Sequence, residues 1–166
     1  RSRFGASVHR LDHRSCPPAF LWCPKKVGFQ EIGRSRGGLT TKLHVAVDAL
    51  GNPLRVILSA GQITDIERAE ALIKDQPAEF IVADKGYDSD AFVETISAQG
   101  AQPVIPPRSN RINPRSFDRH LYKSRNLIER FFSRIKQFRR IATRYDKLAK
   151  SFLSFVHLAC AFVWLA

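Results

Sequence analysis

At 166 residues and 44% hydrophobic content, the chain has room for one domain with a sizeable core, as in ordinary folded globular proteins. The net charge of +12 is uneven: residues 1–38 carry eight Lys/Arg against two Asp/Glu, residues 39–105 five against ten, and residues 106–150 fourteen against three. An acidic middle beside a strongly basic stretch is the footprint of a polyanion partner, most simply nucleic acid, and argues against a solvated helix in which both signs alternate.

Three cysteines (Cys16, Cys23, Cys160) make an odd set without metal-type pair spacing. His9, His13, Cys16 and Cys23 are therefore rejected as zinc ligands, and a reducing cytosol is the default. The chain contains no methionine and is expected to be a fragment.

In chain order, residues 1–24 read as an aberrant, poorly ordered segment. Cys16-Pro17-Pro18-Ala19-Phe20-Leu21-Trp22-Cys23-Pro24 has neither helical nor strand periodicity, and its prolines break any element. The segment lacks the charged start, long apolar run and small-residue cleavage site of a signal peptide. From residue 25 onward one domain is expected. The glycines and arginines of Gly33-Arg34-Ser35-Arg36-Gly37-Gly38 suggest a flexible basic loop. Residues 41–47 alternate around β-branched side chains and predict a strand; Gly51-Asn52-Pro53 turns the chain into a returning strand over 54–59, with Asp48 as a turn residue.

A helix is expected over 66–74, N-capped by Thr64 or Asp65. Residues 79–83 form a short apolar run, a buried strand ending at Asp84. A carboxylate there is held at the sheet rim, a recurrent place for a metal ligand; the plainer alternative is that Asp84 caps the next turn, although Asp88 and Asp90 look better suited to capping. A helix over 91–98 closes at Gly100, a strand over 102–105 stops at Pro106-Pro107, and residues 108–119 make a basic arm. Residues 151–166 are apolar, too short to span a bilayer comfortably, and predict a helix buried on the sheet.

Residues 122–136 organise the rest. On a helix, Tyr122, Arg125, Glu129 and Lys136 fall within a sector of roughly 60°. Leu121, Leu127, Ile128, Phe131, Phe132, Ile135 and Phe138 take most of the other side. One amphipathic helix would thus carry a lone carboxylate among a phenol, a guanidinium and an ammonium; the plainer reading is an ordinary i,i+4 ion pair.

This Y-x2-R-x3-E-x6-K spacing resembles the signature of DDE transposases of bacterial insertion sequences. Ala83-Asp84-Lys85-Gly86-Tyr87-Asp88-Ser89 resembles the same family's second-Asp motif, and residues 33–41, 103–107 and 139–147 are similar to its insertion-sequence subgroup. The resemblance covers about residues 25–166. It implies an α/β, ribonuclease-H-like mixed sheet flanked by helices, and cutting and joining of DNA phosphodiesters with two divalent ions, Mg²⁺ or Mn²⁺. Asp84 and Glu129 would be catalytic metal ligands, and Tyr122, Arg125, Lys136, Arg134, Arg139 and Arg140 would contact DNA. The implied partners are double-stranded DNA, as element ends and target, and further copies of the chain on that DNA. The implied location is the bacterial cytoplasm at the nucleoid, with no membrane.

The first acidic ligand of the family begins an Asp-Ser-Thr motif on an early strand, and this chain has none: Asp12, the only Asp before Asp48, is followed by His13-Arg14-Ser15. The first strand is therefore expected to be missing and the chain to be impaired. Residues 11–23 can be back-translated so that a neighbouring frame reads Ser-Thr-Ile-Val-Arg-Ala-His-Pro-His-Ser-Cys-Gly-Ala, so a shifted reading frame over residues 1–24 is the expected cause. A neighbouring frame of the encoding DNA interrupted by stop codons would rule this out. The alternative function is a non-catalytic, basic DNA-binding remnant of a transposase. An RNA-binding protein is disfavoured by the absence of a stacked-aromatic motif.

Overall fold

The computed structural model describes the backbone of residues 3–12 and, with side chains, residues 30–35 and 38–165. The Pro/Cys-rich stretch 16–24 lies outside the described residues. Six strands make one mixed sheet: β1 (Arg3–Asp12), β2 (Gly33–Ser35), β3 (Gly38–Asp48), β4 (Pro53–Ala60), β5 (Phe80–Ala83) and β6 (Gln102–Val104). Across the sheet the order is β4-β3-β1-β5-β6, with β2 paired to the start of β3. The β4–β3 and β3–β1 pairs are antiparallel, whereas the β1–β5 and β5–β6 pairs are parallel.

Two expectations are corrected here. The sheet does not lack a first strand: β1 lies between β3 and β5, pairing from Phe4↔Asp48 to Asp12↔Thr40 on one side and from Arg3↔Phe80 to Ala6↔Ala83 on the other. Buried backbone groups need partners, and a strand between two others supplies both sets whatever its side chains. Nor is the glycine- and arginine-rich run wholly a loop, because Gly33–Ser35 pairs with Gly38–Thr40 as a short hairpin.

The β3–β4 hairpin forms where expected. Asp48 Oδ1 accepts the N–H groups of Leu50 and Asn52, and Gly51 takes a positive φ of 90° that a side chain would disfavour. Thr64 caps the next segment in a capping box with Glu67, but the expected single helix divides into a 3-10 turn (Asp65–Arg68) and α1 (Ala69–Ile73). α2 (Asp90–Ala98) is capped by Ser89, whose hydroxyl accepts the Phe92 N–H; Asp88 and Asp90 do not cap it.

The side chains of β3 alternate between two cores. Leu43, Val45 and Val47 face Ile128, Phe131, Phe132 and Ile135 of α4 (Asn126–Ile135) and the Phe152/Val156/Ala159/Val163 stripe of α6 (Ala149–Leu165). Ala46, with Ile81 and Ala83 of β5, belongs to the core built with Leu72, Ile73, Phe92 and Ile96 of α1 and α2. α6 is less buried than its composition suggests, since Leu158, Phe162, Trp164 and Leu165 stay exposed. Among the described residues no helix is long and apolar enough to cross a membrane.

Before α4 come α3 (Arg119–Tyr122), capped by Asp118, and a 3-10 turn over Lys123–Arg125; α5 (Arg139–Ala142) follows. The expected single helix is thus tightened at its N-terminal third, and Phe138 leaves its apolar stripe to precede α5 with 37% exposure.

Candidate functional site

Asp84 follows Ala83, the last residue of β5, in extended conformation. Its Oδ1 accepts the Lys85 N–H at 2.7 Å, so the turn-capping alternative is realised. Its Oδ2 lies 3.5 Å from Nη2 of Arg125. Nη1 of the same guanidinium donates to Oε1 of Glu129 at 2.7 Å, one turn further along. The two distances and the width of one guanidinium fork hold the carboxyl groups within roughly 9 Å of each other. Exposures of 37% for Asp84, 30% for Arg125 and 52% for Glu129 leave the cluster open to a ligand from solvent.

The geometry has a simple cause. Alternation along β5 sends Ile81 and Ala83 to the α1/α2 core, so Asp84 shares the other side of the sheet with Val82. That side is covered by α4, whose buried stripe Ile128/Phe131/Phe132/Ile135 seats the helix and leaves Glu129 at its flank. Tyr122 joins the cluster, packed edge-on against Phe117 with ring centroids 5.5 Å apart. Burial raises its pKa; Arg125 opposes that, and the Asp84 and Glu129 carboxylates reinforce it, so the phenol remains a hydrogen-bond donor at neutral pH.

The other expected residues spread out. Lys136 caps the end of α4, about two turns beyond Glu129 on the same helical face. Arg134 lies roughly 140° around the helix from Glu129 and is exposed. Arg139 and Arg140 are exposed in α5; Arg140 stacks over the Phe155 ring at 4.1 Å and pairs with Asp146 at 3.3 Å. The arm after Pro107 is not a free basic strand. Arg111 and Arg115 both pair with Asp88, whose side chain is 3% exposed, and with Asp90, while the Arg108 guanidinium donates to the carbonyls of Lys85 and Gly86. The arm therefore clasps the turn that follows Asp84.

Sequence reasoning missed this clasp and a buried polar group on the opposite face. There Lys42 pairs with Asp65 at 2.7 Å, and His44 lies 2.7 Å from the Ser59 hydroxyl and 3.4 Å from that of Tyr87. Their alternate spacing at positions 42 and 44 of a strand was the available signal. It also missed Arg144, which is buried and donates to Thr41 Oγ1 and to the carbonyls of Gln30, Asp146 and Lys147.

As donors, two carboxylates facing one cation suit a hard divalent ion such as Mg²⁺ or Mn²⁺ in type. Among the described residues no group of three or more His, Cys, Asp or Glu stands ready for a metal. A third donor would have to come from outside that set, and β1 is the strand beside Asp84.

A family model described as "Transposase DDE domain" matches residues 22–164. A Brucella ovis protein named "Putative transposase for insertion sequence element IS6501" is 40% identical over 131 residues, covering 76% of this chain and 99% of that protein. A Burkholderia cepacia protein named "Putative transposase for insertion sequence element IS402" is 28% identical over 154 residues, covering 86% of this chain and 70% of that protein. No solved structure matches the chain.

Proposed function

The chain belongs to the transposase DDE domain family, and from that premise we propose that it binds double-stranded DNA and is built to cut and join phosphodiesters with divalent metal. The observation that carries the reading is the meeting of Asp84 and Glu129, far apart in sequence, on the single guanidinium of Arg125. The strand order supports a ribonuclease-H-like arrangement, with three antiparallel strands continued through the shared β1 by two parallel ones.

In this reading the Asp84 and Glu129 carboxylates would hold Mg²⁺ or Mn²⁺, which would supply charge neutralisation to the reacting phosphodiester. Arg125 offers a planar two-pronged donor to a phosphate, and Lys136 adds a point charge on the same helical face. The Tyr122 hydroxyl, at the edge of the cluster, would be available to donate a hydrogen bond to the bound DNA. Arg134, Arg139 and Arg140 extend the positive surface beyond the chemistry and set affinity rather than position. The partners proposed are element ends and target DNA, with further copies of the chain assembled on them, at the nucleoid in the bacterial cytoplasm.

A second reading, a DNA-binding remnant without catalysis, is favoured by one observation: the described residues supply only two of the carboxylates that such a site needs. The parallel register points to the variant that tests them. Ala6 is level with Ala83, so Ser7 is the β1 position level with Asp84. Incubated with Mn²⁺ and a supercoiled plasmid carrying the DNA that flanks the coding sequence, the chain as it stands is expected to nick very little. Ser7→Asp is expected to raise nicking, and adding Glu129→Gln to abolish it. A Ser7→Asp protein that binds duplex DNA but never nicks it would support the remnant; loss of DNA binding altogether would defeat both readings.

A further inference from the structure

α6 is apolar on two sides. Phe152, Val156, Ala159 and Val163 are buried in the core shared with β3 and α4. Leu158, Ala161, Phe162 and Leu165, spaced i, i+3, i+4 and i+7, form a second stripe on the opposite side. That stripe is exposed, Leu158 at 67%, Phe162 at 62% and Leu165 at 90%. Beside it, α5 and Phe138 complete an open groove of about 520 Å³, lined by Ile141, Phe155 and the stripe itself. Phe138 meets Phe162 edge-on, with ring centroids 5.9 Å apart, and keeps 37% exposure. Among the described residues no side chain covers the groove.

Contiguous apolar surface of this extent marks a contact surface. At roughly 200 Å² for a large apolar side chain, the exposed fractions of Phe138, Leu158, Phe162 and Leu165 leave roughly 500 Å² on each copy. Two such faces together reach roughly 1,000 Å², the threshold of a specific interface. Charge and shape select the occupant. From Ser151 to Leu165 the helix carries no Asp, Glu, Lys or Arg, so two copies of a chain with net charge +12 can meet there without setting like charges face to face. The stripe also fits itself. In an antiparallel two-fold pair centred between Ala161 and Phe162, each Phe162 meets the small Ala161 of the second copy, and each Leu158 meets Leu165 of the second copy.

We propose that the exposed stripe of α6 is a self-association surface, through which two copies of the chain pair antiparallel about a two-fold axis. This deepens the reading above, in which further copies assemble on DNA, by naming the surface through which two of them meet. The cations that line the groove, Arg139 and Arg140, belong to α5 and not to the stripe. Pairing therefore sets the α5 arginines of both copies beside one interface, where a single duplex can bridge them.

The test is sedimentation velocity of the full chain without DNA, in reducing buffer, over a range of concentrations. The parent is compared with Leu158→Lys, Leu165→Glu, the double variant carrying both, and Ala161→Arg. The parent is expected to form a reversible dimer with micromolar affinity. Each single variant is expected to weaken it roughly 100-fold, because a change in a two-fold pair falls twice. The double variant is expected to recover about 10-fold over either single one, since each lysine then faces a glutamate of the second copy. A parent that stays monomeric at its solubility limit, or a Leu158→Lys protein that dimerises like the parent, would overturn the proposal. A double variant no better than the singles would overturn the antiparallel pairing and the proposal with it. Should Leu158→Lys lose the parent's circular dichroism, Ala161→Arg carries the same test. A monomeric parent that binds phosphatidylcholine vesicles, and loses that binding in Leu158→Lys, would give the stripe to a lipid surface instead. A parent that dimerises but does not bind duplex DNA supports the interface and counts against the DNA reading alone.

Discussion

His44 shows how far a single residue's environment can depart from its usual chemistry. It is fully buried, and burial, the largest cause, lowers its pKa from 6.5 to about 4; Asp65 opposes this, and Lys42 and Arg68 add to it. Because the folded pKa lies below the unfolded one, the unfolded chain takes up more protons between them. Stability is therefore complete above about pH 6.5 and is lost as pH falls towards 4, by about 3 kcal/mol in all. Urea midpoints measured at pH 7.5 and pH 5 are expected to fall with pH for the parent and much less for His44→Gln. A parent midpoint that does not move would contradict the buried neutral imidazole. Asp88 is the other informative residue: with two arginines on an almost fully buried carboxylate, it anchors the basic arm rather than a helix end.

At the scale of elements, α4 divides its labour by face. The stripe Ile128/Phe131/Phe132/Ile135 is buried, Glu129 and Lys136 line the flank, and Arg130 and Arg134 point outward. Cations that serve affinity should act through counterion release, each phosphate neutralised contributing a slope of roughly 0.9 in log affinity against log salt. Neutralising Arg134, Arg139 and Arg140 together is expected to weaken binding to any duplex and to flatten that slope. Arg140→Gln alone should do least, because Arg140 is already engaged by Asp146 and Phe155. Fluorescence anisotropy titrations at several salt concentrations check this; a triple variant with the parent's slope would place the DNA elsewhere.

At the scale of the whole molecule, β1 joins the two halves of the sheet. Without it β3 loses the pairing from Thr40 to Asp48, and β5 is separated from the antiparallel strands. Deleting residues 3–12 is accordingly expected to abolish the cooperative thermal unfolding transition followed by circular dichroism. A deleted chain that still melts cooperatively would show that β3 and β5 close the sheet without it. The same strand explains a failure of sequence reading. The text of residues 1–24 was judged by its prolines and cysteines, whereas the strand lies wholly ahead of them and is selected by the open backbone edges on either side.

Local pattern alone determined the β3–β4 hairpin with Asp48 in its turn, the strand ending at Asp84, the apolar stripe of α4, and the spacing that sets Arg125 and Glu129 one turn apart. These follow from the periods of helix and strand and from turn chemistry, all of which act over a few residues. Only the tertiary structure decided that Asp84 faces α4, that Arg125 touches both acids, that the arm's arginines are spent on Asp88 and Asp90, and that residues 3–12 enter the sheet. Each of these depends on which side of the sheet a residue takes and on which element covers that side. Such choices are made by packing two cores at once, over sequence separations that no local period reaches.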